Sequence, residues 1–319
     1  MPPERRARLA LVVLTVLVLA AVAAFMTLGV RGNWDFVLKF RGMKLAGLVL
    51  VAHAVAISTV LFQTVTANRI LTPSIMGFDA LYVLTSTVLV AVLGSAALAQ
   101  QDARLLFAAK VALMVGCSMA LYRWLFLGEE RSLHRLLLIG VVFGIFLRTL
   151  AEFVQRLLDP NEFMVLSDML FASFGTIEPV LMGIGWGLTA LVTLWVARNA
   201  RRLDVIGLGR PIAVNLGIRW RREVLMVLAM VSVLVSVSTA LVGPVTFFGL
   251  LAVSLAHLAV GTSRHAVLLP AASLVAILLL VAGQTVLERA FAFNTALGIV
   301  IEFFGGVVFI LLLLAGGRR

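Results

Sequence analysis

"LAGLVLVAHAVAISTVLFQTVTANRILTPSIMG", Leu45 to Gly77, joins two very different kinds of chain. From Leu45 to Ala67 there is no Asp, Glu, Lys or Arg, and about 20 apolar residues suffice to cross a bilayer as a helix. The next stretch, "NRILTPSIMG" (68–77), gathers Asn, Arg, Thr, Pro, Ser and Gly into one elbow. Pro73 and Gly77 are ordinary signals for ending a helix. An apolar run of spanning length that ends in a polar elbow predicts a polytopic membrane protein.

The rest of the chain agrees. Of 319 residues, 62% are hydrophobic and 13% charged, with mean hydropathy +1.12. A soluble domain is about half apolar and about a quarter charged, so a soluble fold is excluded. Spanning windows fall near 9–30, 45–67, 79–100, 105–127, 136–158, 176–197, 224–242, 244–260, 266–287 and 296–315. The fold class is therefore an all-α polytopic membrane protein with about ten transmembrane helices. The break at Val242–Pro244 is placed at the outer face, and 159–176 is read as a short surface helix there. Period-two alternation is absent, which removes a β-barrel. The first span, after Arg5, Arg6 and Arg8, is too long for a signal peptide and is read as retained.

Basic residues mark the cytoplasmic side. They cluster at Arg5, Arg6 and Arg8, at Arg318-Arg319, and between Arg198 and Arg222. Both termini and that loop, about 198–223, are thus expected inside. Arg31, Lys39, Arg41 and Lys44 violate the trend, because they fall outside. The net charge of +11 belongs mostly to inner loops facing anionic lipid headgroups; nucleic acid is rejected as a partner. The single cysteine, Cys117, cannot form an internal disulfide.

Familiar chemistry is missing. The four histidines show no metal-ligand spacing, and neither HExxH nor a GxxxxGK[ST] phosphate loop occurs. No cofactor, metal site or catalytic residue is expected, and any ATP hydrolysis belongs to another polypeptide. Charges inside a span cost about 2.5–3.5 kcal/mol each, so each calls for a role. Arg148, Glu152 and Arg156 share one helical face by their i, i+4, i+8 spacing. That face is expected to point into the bundle, either as an internal ion-pair ladder or as a stripe along a transport path. Glu302, in "GIVIEFFGGVVF", has no partner nearby in sequence; a buried hydrogen bond and a pathway role stay open. Gly305-Gly306 would permit close helix contact.

Three motifs, in order along the chain, carry a family resemblance. Asn68-Arg69-Ile70-Leu71-Thr72-Pro73-Ser74-Ile75-Met76-Gly77 is similar to N-P-L-A-x-P-x-x-L-G. Leu208-Gly209-Arg210-Pro211-Ile212-Ala213-Val214-Asn215-Leu216-Gly217 is similar to L-G-E-x-x-A-x-x-L-G. Gly243-Pro244-Val245-Thr246-Phe247-Phe248-Gly249-Leu250 opens like G-x-I-x-F-V-G-L. Together they resemble the FecCD-type permeases of ATP-binding-cassette importers for iron-siderophores, haem and cobalamin. Departures are Arg69 for Pro, Arg210 for Glu, and Val253-Ser254 for Pro-His with His257 in place of Arg. The wording of 68–83 is similar to the subgroup serving catecholate and mixed-ligand siderophores such as petrobactin, anguibactin or vibriobactin.

That resemblance implies a type II importer permease fold forming one domain, 1–319, in the bacterial inner membrane. It implies a ferric siderophore as substrate, with haem, cobalamin or another chelate as the alternative. The implied partners are ATPase subunits, a periplasmic or lipid-anchored siderophore-binding protein and a second permease, a related but different chain or else an identical one. Leu208, Gly209, Arg210, Ala213, Leu216 and Gly217 match the loop, two short helices in the family, that couples to the ATPase. Asn68 and Ile70, with Ser132, Leu133 and His134, match a cytoplasmic gate. Arg41, Lys44 and Arg289 match basic residues that dock the binding protein, and Arg148, Glu152 and Glu302 are candidates for the pathway lining. From the residues alone, two other classes stay open. One is a gradient-driven secondary transporter working through Glu302 or the Arg148–Glu152 stripe, although no half-repeat of the usual kind occurs. The other is a membrane enzyme using Asp159, Asp168 and Glu178.

Overall fold

The computed structural model describes residues 3–29, 34–126, 133–170, 174 and 177–290, together with 298, 300–303, 305–307 and 310. Among these residues the regular structure is helical throughout. In chain order the helices are α1 (Pro3–Thr27), α2 (Trp34–Thr66), α3 (Phe78–Leu93), α4 (Ser95–Gln100), α5 (Ala103–Phe126), α6 (Leu133–Gln155) and α7 (Pro160–Leu170). Then come α8 (Pro179–Arg198), α9 (Ala200–Ile206), α10 (Arg210–Asn215), α11 (Trp220–Val242), α12 (Phe248–Val260) and α13 (His265–Ala290).

Among the described residues, seven helices are long and apolar enough to cross a membrane: α1, α2, α5, α6, α8, α11 and α13. Two of the expected spans are altered. The span near 79–100 is split at Gly94 into α3 and α4, and the span near 244–260 shrinks to α12. At about 1.5 Å rise per residue these helices fall short of a hydrocarbon core of about 30 Å. The expected surface helix exists as α7, and its Glu162 accepts the Ser95 backbone N–H at 2.7 Å. The tenth expected span, near 296–315, falls largely outside the described residues.

Burial concentrates on α2, α11, α12 and α13, which supply most of the main apolar cluster, including Leu48, Leu61, Leu228, Leu234, Phe248 and Leu280. Peripheral α1, α5 and α6 expose Leu, Val and Phe freely, as at Val12, Leu113 and Ile145. In a membrane these faces need no water, and they are where lipid or a second chain belongs. Two corners tie helix ends together. Arg6 of α1 donates to the Leu258 carbonyl of α12 at 3.3 Å, at the end that the basic residues place inside. At the other end, the Leu28 carbonyl meets Arg41 and Arg289.

One backbone contact is unusually close. Gly77 has φ +101°, a left-handed conformation that glycine tolerates best. It lies flat on Gly144 of α6, so that a Cβ on either residue would come within 2.8–2.9 Å of the other's Cα. Gly144→Ala should therefore cost about 1–3 kcal/mol by overpacking, lowering the melting temperature of the detergent-purified protein. Gly116→Ala, where nothing lies within 4 Å, should hold or raise it.

Candidate functional site

The elbow begins at the inner end of α2 and then turns back into the protein. Asn68 caps the turn, its Oδ1 accepting the Ile70 N–H at 2.9 Å. Gln63 holds the Arg69 carbonyl at 2.7 Å, and the Arg69 guanidinium donates to Ser263 Oγ at 3.0 Å. Arg69 and Ile70 are exposed, whereas Thr72, Pro73, Met76 and Gly77 are buried. A short 3-10 turn, Ser74–Met76, delivers the chain to α3.

Beside it lies the second interruption, 243–247. This break is not at the outer face, as the sequence suggested. Val245, Thr246 and Gly249 line a water-sized cavity together with Val55, Ser58 and Thr59 from the middle of α2 and Thr72, Pro73 and Ser74 from the elbow. Thr246 Oγ1 donates to Asp79 Oδ2 at 2.7 Å. Asp79 is buried at the first turn of α3, where a carboxylate also suits the helix dipole. Two stretches of non-helical backbone thus meet inside the bundle, ringed by hydroxyls, with Thr246 bonded to the start of α3 just beyond the elbow. Arg148 and Glu302 lie close enough to act on Asp79 electrostatically, while Gly305 packs against Phe247.

Arg148, Glu152 and Glu302 are themselves exposed on the surface of this chain. The expectation that the stripe faces the bundle of the same chain is corrected: α6 turns it outward. Lipid is a costly neighbour for such groups, so the face is suited to a second polypeptide or a water-filled path.

The inner loop has two layers. α9 buries Leu203 and Ile206 in the core, whereas α10, flanked by Gly209 (φ +92°) and Gly217 (φ +83°), stands outside it. Ala213 is buried beneath, but Leu208, Ile212, Val214 and Leu216 are 48–60% exposed. Apolar side chains in a loop otherwise rich in arginine form a contact surface awaiting a partner. Arg210 is exposed on the same helix.

The outer basic cluster is internally engaged. Arg41 donates to the carbonyls of Phe25, Met26 and Leu28 at 2.9–3.1 Å, a cation closing the C-terminal end of α1. Arg289 also reaches the Leu28 carbonyl and remains exposed. Lys44 pairs with Glu288 at 2.7 Å, both side chains only about a tenth exposed. Gln284 donates to the same Glu288 oxygen at 2.9 Å. Ser132 lies outside the described residues. Leu133 and His134 open α6, and nothing of their side chains is described.

Sequence reasoning overlooked Asp79, Thr246, Thr64, Asp204 and His265. The signal available for the first two was a surplus of Ser and Thr in apolar spans. For His265 the sequence carries no signal beyond the lack of metal-ligand spacing.

Comparison with known proteins now decides the family. A model of the FecCD transport family matches residues 8–315. The chain belongs to that family. It is 46% identical over 283 residues to the petrobactin import system permease protein YclO of Bacillus subtilis, covering 89% of this chain and 90% of the relative. It is 32% identical over 278 residues to the petrobactin import system permease protein FatC of Bacillus anthracis, covering 87% and 78%. A chain of a metal-chelate type ABC transporter solved in an inward-facing conformation superposes with a TM-score of 0.83 at 20% identity, covering 96% of this chain and 99% of that one. That last likeness concerns the fold alone. This FecCD permease is a multi-pass membrane subunit, not an enzyme; such permeases work with an ATPase, a substrate-binding protein and another permease chain.

Breaking a buried ion pair from one side costs about 3–5 kcal/mol, whereas replacing both partners with apolar groups is often neutral. Lys44→Met should therefore lower the melting temperature in detergent markedly, and Lys44→Met with Glu288→Leu should recover most of the loss. Equal losses in the single and double variants would show that the pair is not coupled.

Proposed function

We propose that this permease carries a ferric siderophore across the bacterial inner membrane, driven by a separate ATP-binding-cassette subunit. The observation that carries the reading is the 46% identity, nearly end to end, to a petrobactin import permease. A binding protein, periplasmic or lipid-anchored, delivers the chelate from outside. A second permease, a related but different chain, completes the path, and the whole of 1–319 acts as one permease domain.

Each part of the molecule then has a task. The loop at 198–223 meets the ATPase through α10, with Leu208, Arg210 and Leu216 as contacts, Ala213 as the buried anchor, and Gly209 and Gly217 as turning points. Asn68 and Ile70 on the elbow form the cytoplasmic gate, with Ser132, Leu133 and His134 as its second side. Arg148, Glu152 and Glu302 belong to the face that meets the second permease and lines the path. Arg41 and Arg289 form the outer docking rim, with charge steering the approach of an acidic partner. Lys44, tied to Glu288, acts there by positioning.

The test is reconstitution of the permease pair, ATPase and binding protein in vesicles with radio-iron-loaded petrobactin. Iron should accumulate only with ATP and binding protein present. Accumulation driven by an ion gradient without the ATPase would refute the assignment. Within the same preparation, Leu216→Asp should weaken co-purification of the ATPase by at least about tenfold, the scale of losing one buried apolar anchor.

A further inference from the structure

Between the ATPase-facing loop and the elbow lies a three-residue chain of hydrogen bonds that the motif match does not include. It starts on α9, where Asp204 Oδ1 accepts two bonds from one residue: the backbone N–H of His265 at 2.7 Å and its ring Nδ1–H at 2.7 Å. His265 is the first residue of α13, where backbone N–H groups lack helical partners and a carboxylate is favoured. The imidazole is nearly inaccessible, and its far nitrogen, Nε2, lies 2.7 Å from Thr64 Oγ1. Thr64 is half a turn from the end of α2. Its neighbour Gln63 grips the elbow through the Arg69 carbonyl.

The surroundings give this chain room to move. A cavity of about 230 Å³ is bounded by Gln63, Thr64, Arg69, Asp204, His257 and His265 among others. Gln63 Oε1, although buried, has no hydrogen-bond partner there. Gly207, one residue past α9, packs directly beside Thr64. α9 is therefore fastened to α13 and α2 at one polar point, next to an unfilled space, while α10 beyond it carries the exposed apolar contact surface. α10 packs on α9, and α9 in turn meets α2 just before the elbow, so a push on α10 has a continuous path to it.

We propose that Asp204, His265 and Thr64 form a clasp that transmits movement of the ATPase-bound loop to the cytoplasmic elbow. It rests on the permease reading above and adds positioning residues to it. Without the clasp, α10 still binds the ATPase, but hydrolysis and opening of the inner mouth fall out of step.

The test measures siderophore moved per ATP hydrolysed in vesicles containing the whole importer. Thr64→Val keeps the shape of the side chain and removes the hydroxyl; Thr64→Ser restores it. Asp204→Ala removes the carboxylate from the other side. Thr64→Val and Asp204→Ala should each lower the transport-to-hydrolysis ratio about tenfold, an ordinary coupling free energy. Thr64→Ser should stay near wild type, and the double variant should lose little more than either single one. An unchanged ratio in Thr64→Val would overturn the clasp, and so would loss of ATPase co-purification in that variant, since it would make Thr64 a prop for the loop. These outcomes are separable from failure of the functional reading, in which the wild-type importer itself would move no siderophore.

Discussion

Backbone that is not helical cannot face hydrocarbon, because each unpaired N–H or C=O costs several kcal/mol there. Among the described residues, this permease carries two such stretches deep in its bundle, the elbow after α2 and the break before α12. Both are tolerable only because they face each other and the interior. Thr246 closes on Asp79, and Ser58, Thr59, Ser238 and Thr239 ring the water-sized gap between them. The short lengths of α3 and α12, the flat contact of Gly77 on Gly144 and the approach of Gly305 to Phe247 all follow from bringing these segments together.

That arrangement also separates a fixed half of the molecule from a movable one. The upper part of the elbow, from Thr72 to Gly77, is buried or half-buried. Its lower part, Asn68 to Ile70, is held by a few polar bonds to Gln63 and Ser263 beside an open cavity. Weakly packed segments on a rigid frame are where conformational change is drawn from. The inner loop repeats the pattern, with α9 anchored by Leu203 and Ile206 and α10 standing clear. The outer corner is the opposite case, since Arg41, Lys44, Glu288 and Gln284 tie α1, α2 and α13 together.

Much of this was readable in the chain. Apolar runs announced the spanning helices, because in lipid only internally bonded helices or closed barrels survive. The elbow and the 208–217 loop were legible as polar, Gly- and Pro-punctuated segments, and together with the third motif they pointed to the family. Depth was not legible. Val242–Pro244 reads as a break wherever it lies, and only its tertiary partners Asp79 and Thr59 place it in the middle of the bundle. The direction of the Arg148 face was missed for the same reason, since one helix does not reveal which side its neighbours occupy. Arg41 and Lys44 were conspicuous as positive charges outside. Their partners, however, were a set of carbonyls at the end of α1 and a carboxylate 244 residues away, invisible to local spacing.

Nucleotide at the partner subunit should change the state of the elbow. In a Cys117→Ser chain, a single cysteine replacing Ile70 or Thr72 reports this through its rate of modification by a water-soluble thiol reagent on the cytoplasmic side. Rates at both positions should differ clearly between nucleotide-free and nucleotide-trapped importer. Identical rates in the two states, with the ATPase demonstrably bound and trapped, would contradict the account.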